Sequence, residues 1–382
     1  MTATTVPAPL RVAFVVGLAT GGTASHVAVL AAGCRDARLD VRVLGPTTTL
    51  ATFGQSGSGA EPFTTHRVPI TDDPRPASAA VAVARLRSAF AAWHPDVVHA
   101  HGVRAGALAA LAAGSMGSSS RPALAVTVHN APPDSRFAGL VYGALERICA
   151  RRADLVLCAS ADLLERMRAL GAPDAEQFDV PAALVLPPTA EEIEKARADV
   201  GAGDRPVLLS VGRLVRQKGL DVLIAAAARW RDRDPQPRTV IAGDGPLAAE
   251  LRAQASQADA GVVLLGARQD VPALLALADV VIVPSRWEAR ALIVQEAMRS
   301  GRPIIATRVG GTAELTGDDG AVLVRPDDPA ALAAAVTAVL EDASLRARLS
   351  AAASARSASF PTKKDAIDSA LSMYTRLAAG RF

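Results

Sequence analysis

The chain has 382 residues, half of them hydrophobic, and this length accommodates two ordinary domains. Its 41 basic and 38 acidic residues leave a net charge of only +3, which gives no reason to expect a nucleic acid as a partner. The three cysteines, Cys34, Cys149 and Cys158, are odd in number and lack the spacing of metal ligands. We therefore expect buried free thiols in a reducing compartment.

The first residues, MTATTVPAPL, lack a cationic region followed by an apolar core. The next run, VAFVVGL, is too short for a signal peptide or a membrane span, and no other stretch predicts a transmembrane segment. We therefore expect a cytoplasmic protein.

Short apolar runs alternate with helical patterns along the first half of the chain. A glycine loop and a helix are predicted at 21–37, directly after the first run. The apolar runs predict strands at 11–18, 40–46, 96–102, 123–130 and 154–160. This alternation is typical of a parallel sheet that is covered by helices on both faces.

The same pattern begins again after residue 205. It predicts strands at 206–214, 238–245, 261–266, 279–285, 302–311 and 321–326. Two sheets imply two doubly wound α/β domains. We place the N-terminal domain at 1–188, a linker at 189–205, the C-terminal domain at 206–355, and at 356–382 a helix that crosses back to the N-terminal domain.

Two cations follow the first predicted strand of the second domain. Arg213 and Lys218 are five residues apart, and Gly219 stands at the start of the next helix. Free N–H groups at a helix start favour an anion, arginine can bind a phosphate with two hydrogen bonds, and lysine adds a compact charge. Only four residues of the chain are lysines, which strengthens the hypothesis of a phosphate site. The alternative is a pair of surface cations.

Glycines and histidines mark the ends of strands in the first domain. Gly21 and Gly22 lie between the first strand and the first helix, where a phosphate can approach the backbone, although a simple tight turn is the alternative. His129 ends a predicted strand, either at a ligand or as a structural histidine. His99 and His101 alternate along one strand and so share one face. No third metal ligand is evident for them, which favours a structural role.

Glu288 and Glu296 stand eight residues apart around an apolar run. Glu288 follows a predicted strand, and Glu296 falls in the first turns of a helix that should begin near Ala291. One interpretation is an acid at the helix entry with a partner for the helix dipole. The other is a pair of hydrogen-bond acceptors for a polyhydroxyl ligand at the carboxyl edge of the sheet.

Taken in order, these motifs resemble glycosyltransferase family 4, whose members have the GT-B fold of two Rossmann-like domains facing across a cleft. The resemblance extends from about residue 11 to residue 345. It depends on GRL…KG, GDGP, ADVVIVPS, the E-x7-E pair and AMRSGRP…ATRVGGTAEL, which come in the family's order and spacing. Each motif is weak alone, and their combination is specific.

The resemblance implies a role for each matching position. Arg213 and Lys218 would bind the diphosphate of a sugar nucleotide, which Gly21 and Gly22 would also approach. Glu296 would accept hydrogen bonds from the ribose, and Glu288 would accept them from the donor sugar. The backbone at Gly266, Ala267 and Arg268 would face the base, and His129 would lie beside the transferred sugar as a catalytic residue together with Glu288.

The sequence departs from the family pattern just after the first glutamate. The family has glycines where this chain has Ala289 and Ala291, with Arg290 between them and Leu292 following. Those glycines let backbone N–H groups reach the donor sugar, and alanine adds bulk and restricts the backbone. We therefore expect an altered contact with the sugar, to which Arg290 could add specificity. The segment LVLPPT also replaces the family's usual hinge sequence and could stiffen the hinge.

The resemblance implies a retaining, metal-independent glycosyltransferase that uses a nucleoside-diphosphate sugar, with UDP favoured over GDP, and that needs no cofactor. A non-catalytic sugar-nucleotide binder and a sugar-nucleotide 2-epimerase are the alternatives. The acceptor would be an unknown hydroxyl compound, and the sequence does not predict an oligomeric state. The basic cluster Arg147, Arg151 and Arg152 indicates either a weak membrane association or a solvated helix face.

Overall fold

The structure is a computed structural model that describes residues 9–19, 22–53, 63–71, 75–130, 136–182 and 187–380. It divides into two units. The first contains the chain up to Pro181 together with the segment from Pro361 onward, and the second contains Ala182–Phe360. Each unit is built around its own parallel sheet.

All the strands of the described residues pair in parallel. In the first unit they are β1 Arg11–Val16, β2 Asp40–Gly45, β3 Thr64–Arg67, β4 Val97–His101, β5 Ala123–Val128, β6 Leu155–Cys158 and β7 Ala175–Gln177. In the second unit they are β8 Val207–Val211, β9 Arg238–Ala242, β10 Val262–Gly266, β11 Val280–Val283, β12 Ile304–Thr307 and β13 Val322–Val324.

Helices connect these strands. Up to the end of the first sheet they are α1 Gly22–Asp36, α2 Thr47–Phe53, α3 Pro76–Trp93, α4 Val103–Gly114, α5 Arg136–Arg152 and α6 Ala161–Ala169. The others are α7 Ala190–Val200, α8 Leu220–Ala227, α9 Ala248–Ala258, α10 Val271–Leu277, α11 Leu292–Arg299, α12 Thr312–Thr316, α13 Pro329–Glu341, α14 Ala343–Ser357 and α15 Lys363–Ala379. Within the ranges that the structure describes, no helix combines the length and the apolar character needed to cross a bilayer.

The two sheets share one winding pattern. Their strand orders are β3-β2-β1-β4-β5-β6-β7 and β10-β9-β8-β11-β12-β13. In each sheet the chain starts near the middle, builds outward to one side, and then returns to build the other. The order therefore reverses between β1 and β4 in the first sheet and between β8 and β11 in the second. This confirms the predicted α/β class with two doubly wound sheets.

The central strands are buried on both faces, as parallel strands under two helical layers should be. All six residues of β5 and all five of β4 are buried. The helix α15 packs on α1 in the first unit, where Gly33 permits a close approach. A Cβ atom at Gly33 would lie 2.5 Å from the Cγ2 atom of Ile367. The cysteines are free and buried as predicted, and burial raises the pKa of each thiol to about 12.

The segment that we predicted as a linker, residues 189–205, contains the helix α7. Thr189 and Glu192 form a reciprocal capping box at its start. Ala196 and Val200, four residues apart on one face, are fully buried in the core of the second unit with Leu274. The unit also begins at Ala182, seven residues before the predicted linker. The helix is thus part of the packed second unit.

Candidate functional site

The loops that follow β8 and β11 carry the predicted cationic and acidic residues of the second unit. Arg213 and Lys218 follow β8, and Glu288 follows β11. These two strands are neighbours at the point where the strand order reverses. Ligands of open α/β sheets bind at this position, beyond the carboxyl ends of the strands. The fold therefore brings the three side chains to the expected edge.

The loop after β8 is held close to its neighbours by glycines. Gly219, the N-cap residue directly before α8, has a φ of +60°, and a Cβ atom there would lie 2.0 Å from the carbonyl oxygen of Pro284. Gly243, in the GDGP turn, has a φ of +148°, and its Cβ would lie 1.9 Å from the carbonyl oxygen of Gly212. The backbones of the neighbouring loops after β9, β8 and β11 thus approach so closely that no side chain fits at Gly219 or Gly243.

Lys218 and Glu288 form an ion pair across these loops. The Nζ atom of Lys218 lies 2.5 Å from Oε1 of Glu288, and the Ser285 hydroxyl donates a hydrogen bond of 2.6 Å to the same oxygen. The Glu288 side chain is only 7% exposed, and that of Lys218 is 23% exposed. In the described part of the chain, Oε2 of Glu288 accepts no hydrogen bond. The carboxylate therefore has one occupied and one open oxygen.

The backbone around Glu288 is fixed by the loop after β12. The Gly311 amide donates to the Glu288 carbonyl at 2.9 Å, and the Thr307 hydroxyl donates to the Ser285 carbonyl. Gly310 has a φ of +46°, and a Cβ atom at this position would lie 1.9 Å from the Glu288 carbonyl oxygen. Gly310 of the VGGTAEL motif is thus needed for the position of Glu288, and Gly311 contributes its backbone amide.

Arg286 anchors the same loop from its other side. Its guanidinium donates two hydrogen bonds to Asp221 on α8, at 2.9 and 2.8 Å, and it also pairs with Asp327. These hydrogen bonds are the main reason that the pKa of Asp221 is lowered. Sequence reasoning missed both Arg286 and Ser285, although each follows a strand at the carboxyl edge.

Glu296 lies in α11, which begins at Leu292, one residue after the predicted start. Burial raises the pKa of its carboxyl group to about 7, and the positive charge of Arg299 only partly opposes this shift. Among the residues that the structure describes, none forms a hydrogen bond with its carboxyl oxygens. Glu296 is therefore a partly buried acceptor whose charge is expensive in the absence of a ligand.

The segment between Glu288 and α11 adopts conformations that alanine tolerates. Ala289 and Ala291 are buried, and neither has a positive φ. Ala291 caps α11 with φ −68° and ψ 106°, an ordinary extended conformation. The replacement of the family's glycines therefore causes no backbone strain here. Arg290 lies between the alanines and is partly buried.

The remaining predicted residues of this unit differ in their exposure and in their ion pairs. Gly266 ends β10 with a φ of +74°, and Ala267 after it is exposed. The guanidinium of Arg268 pairs with Asp270 and Asp199 at 2.5 and 2.7 Å. Arg213 is exposed, and its side chain pairs with none of the other described residues.

In the first unit, Gly22 begins α1, whereas Gly21 lies outside the described residues. His129 directly follows β5 and is buried. Its Nε2 atom lies 3.4 Å from Nδ1 of His101, and the two rings are stacked. The ring of His26 on α1 meets both of them edge-on, at centroid distances of 5.8 and 6.0 Å. Sequence reasoning did not predict this cluster.

His99 extends the cluster into the core. Its ring nitrogens lie 2.7 Å from the hydroxyl of Tyr374 on α15 and 2.6 Å from that of Thr127. Burial lowers the pKa of His129 to about 4 and that of His26 to about 3. It also lowers the pKa values of His99 and His101 well below the usual range. All four histidines are therefore neutral at pH 7. Within the described ranges, no three histidine, cysteine or acidic side chains are arranged to hold a metal ion.

Comparison with known proteins shows what the two units are. The profile described as "Glycosyl transferase 4-like domain" matches residues 21–183, and that of "Glycosyl transferases group 1" matches residues 192–356. Together the two matches extend over most of the chain, one in each half of it.

Two relatives support the same assignment. The chain is 33% identical over 312 residues to D-inositol 3-phosphate glycosyltransferase 1 of Catenulispora acidiphila, which covers 73% of this chain and 72% of the relative. It is 31% identical over 215 residues to alpha-D-kanosaminyltransferase of Streptomyces kanamyceticus. This second match covers 53% of the chain and only 55% of that relative, so the chain spans about half of its length.

The same fold is found in a solved structure. HepE of Anabaena, solved in complex with UDP, superposes with a TM-score of 0.77 over 96% of this chain and all of the other, at 21% identity. At that identity the likeness establishes the fold alone. The two profiles and the inositol-phosphate relative, however, establish the family. The chain belongs to the group 1 glycosyltransferases of the GT4 type, which have the GT-B fold.

Proposed function

We propose that the protein is a retaining glycosyltransferase that moves a sugar from a nucleoside-diphosphate sugar, preferably UDP-linked, to a hydroxyl acceptor. One observation carries this proposal: Lys218 and Glu288 form an ion pair at the reversal point of the second sheet, in loops that also carry Arg213. A cationic group for a diphosphate and a carboxylate for sugar hydroxyls are thus present at one ligand-binding edge.

Each part of the donor would contact a different group of these residues. Arg213 and Lys218 would bind the diphosphate, Glu288 the sugar hydroxyls, and Glu296 the ribose. The backbone of Gly266, Ala267 and Arg268 would face the base, and the segment 289–292 would line the sugar. In the first unit, Gly21 and Gly22 would serve the phosphates and His129 the sugar, as the family pattern implies.

The preference for UDP is supported by the complex of the structural neighbour HepE with UDP. We also propose that the reaction needs no metal and no cofactor, because Arg213 and Lys218 can neutralise the charge that develops on the leaving diphosphate. A metal would otherwise stabilise that charge.

Retention of the anomeric configuration without a covalent intermediate is supported by the hydrogen bonds that Glu288 accepts. A double displacement needs a carboxylate that can attack the anomeric carbon. Glu288 is the nearest candidate by motif, and two donors already engage one of its oxygens. We assign it to holding donor hydroxyls, and we expect the leaving phosphate to help deprotonate the acceptor on the same face. His129, whose pKa is about 4, is a weak base and would position the sugar.

A ligand screen tests the function. We expect UDP and a UDP-sugar, more than GDP, to raise the melting temperature in the presence of EDTA. A ligand at one hundred times its Kd adds about 2.7 kcal/mol to the stability of the native state. Turnover with a panel of hydroxyl acceptors and NMR of the product anomer then test transfer. An inverted anomer would refute retention, loss of activity in EDTA with recovery in Mg²⁺ would refute metal independence, and binding without turnover would indicate a non-catalytic binder.

The pKa of Glu296 predicts a pH-dependent affinity. If its carboxylate accepts ribose hydroxyls, affinity for UDP-glucose should fall about ten-fold between pH 8 and pH 5.5, as the group with pKa about 7 takes up a proton. Glu296→Gln should bind more weakly at pH 8 and should lose this pH dependence. Calorimetry across the range measures both effects, and Glu250→Gln, an exposed carboxylate on α9, is the control.

The same substitution should stabilise the fold. Because the folded pKa of Glu296 is raised, its ionisation costs nothing below pH 4.5 and the full amount above pH 7. We therefore expect Glu296→Gln to gain roughly 2–3 kcal/mol in urea unfolding at pH 8 and almost nothing at pH 4.5. Equal gains at both pH values would contradict the burial of a charged Glu296.

A further inference from the structure

The Glu288 carboxylate is held by two donors of different kinds. Lys218 reaches it from the loop after β8 on a long, flexible side chain, and Ser285 reaches it from three residues upstream on a short one. Ser285 is 1% exposed. Both donors contact Oε1, and Oε2 accepts no hydrogen bond from the residues that the structure describes.

The two donors would behave differently when a donor substrate arrives. The Lys218 ammonium is a point charge with several rotatable bonds, and a diphosphate would compete for it with Glu288. Ser285 cannot follow a phosphate, because its side chain has one rotatable bond to its hydroxyl and its carbonyl is fixed by the Thr307 hydroxyl. The serine is therefore the contact that persists when Lys218 turns toward the phosphates.

We propose that Ser285 is a positioning residue for recognition of the donor sugar. By holding Oε1 of Glu288, it keeps Oε2 turned outward as the acceptor for a sugar hydroxyl, independently of where Lys218 points. The proposal rests on the proposed function, since it takes the role of Glu288 from it. It adds that the orientation of this carboxylate, and so the choice of sugar, is set by a residue that touches neither the nucleotide nor the sugar.

Nucleotide and sugar binding separate this role from a general structural one. We expect Ser285→Ala to bind UDP within two-fold of the wild type, because UDP carries no sugar. Its affinity for UDP-glucose or UDP-N-acetylglucosamine, whichever the wild type binds more tightly, should fall about ten-fold, the usual effect of losing a hydrogen bond to a charged group. Calorimetry measures all the affinities. Ser210→Ala removes another buried serine of the same unit, which is not hydrogen-bonded to Glu288. This control should change neither the affinity for UDP nor the affinity for the UDP-sugar.

A double-variant cycle tests whether Ser285 acts through Glu288. In a Glu288→Ala background, Ser285→Ala should cause no further loss of UDP-sugar affinity, because the group that it positions is gone. Thr307→Val removes the hydroxyl that holds the Ser285 carbonyl. It should give a smaller loss with the same difference between UDP and UDP-sugar, and it replaces Ser285→Ala if that variant does not fold.

Three results would overturn the inference. If Ser285→Ala weakened the affinities for UDP and for the UDP-sugar equally, the substitution would have disturbed the loop in general. If Ser285→Ala lowered the UDP-sugar affinity further in the Glu288→Ala background, Ser285 would act independently of the Glu288 carboxylate. A wild type that binds the UDP-sugar no more tightly than UDP would leave Glu288 without a sugar to hold. A wild type that binds no nucleotide at all would instead refute the proposed function, and the role of Ser285 with it.

Discussion

Acidification from pH 7 to pH 4.5 is expected to destabilise the first unit by several kcal/mol while leaving the second unit much less affected. The four clustered histidines are buried and neutral, with pKa values of about 4 for His129 and about 3 for His26. The unfolded chain takes up protons near pH 6.5, whereas the folded unit does not. The contribution to stability is therefore complete above pH 6.5 and disappears as the pH falls toward 4.

The size of the effect follows from the shifts. A pKa lowered from 6.5 to about 4 corresponds to about 3 kcal/mol, most of which is lost by pH 4.5. His26 should contribute a similar loss. Because the rings also repel one another once charged, protonation of one histidine opposes that of the next, and unfolding is the route by which all of them become charged.

Hydrogen exchange read by mass spectrometry can measure this effect in each unit separately. All six histidines lie in the first 130 residues, so peptides from the second unit are an internal control. His26→Phe, which keeps an aromatic ring and removes a titrating group, should flatten the pH dependence of the first unit. If both units lost protection equally, or if His26→Phe were as acid-sensitive as the wild type, the histidine cluster would not be the cause.

Replacement of Lys218 by methionine is expected to reduce UDP affinity by about 10- to 100-fold. The loss of a charge-assisted hydrogen bond to the diphosphate costs roughly 1.5–3 kcal/mol. The substitution also leaves Glu288, 7% exposed, without its counter-charge. We therefore expect a loss of about 2 kcal/mol in urea unfolding of the ligand-free protein, since a carboxylate left without its partner is strongly destabilising.

Calorimetry and urea unfolding of the same protein separate the two consequences. Arg216→Met is the matched control, because Arg216 is an exposed cation of the same short turn, and its side chain has no ion pair in the described ranges. That variant should change UDP affinity and stability only slightly. Unchanged UDP affinity in Lys218→Met would remove this lysine from the phosphate site, whatever its effect on stability.

The central strands were predictable because they are buried on both faces and so are continuously apolar. The two strands that were missed are both at sheet edges, where that requirement is absent. β3, with the sequence TTHR, is mostly exposed, and β7 has only three residues. The helix α7 was taken for a linker because its surface is highly charged. Only Ala196 and Val200 face the core, and alanine gives little apolar signal.

Sequence also placed the cations and Glu288 at one sheet edge, because the carboxyl ends of neighbouring parallel strands lie together. It did not predict that Lys218 and Glu288 bind each other, since each was assigned to a different part of the ligand. Their contact depends on close loop packing at Gly219 and Gly310. The histidine cluster was even harder to predict from the sequence, because His26 and Tyr374 join it only through the packing of α1 and α15 on the sheet.

The position of α15 has a consequence for how the protein is made. The helix ends at Ala379, yet Tyr374 within it is fully buried in the first unit, against His99 and Phe14. A ribosome must therefore synthesise the whole second unit before the first can be completed. Until then the nascent first unit exposes the apolar face of α1 around Gly33 and lacks the hydroxyl partner of His99. The second unit is continuous in sequence and can fold before α15 has been synthesised. A chain truncated after residue 360 would lack α15, and its exposed apolar face of α1 would favour aggregation.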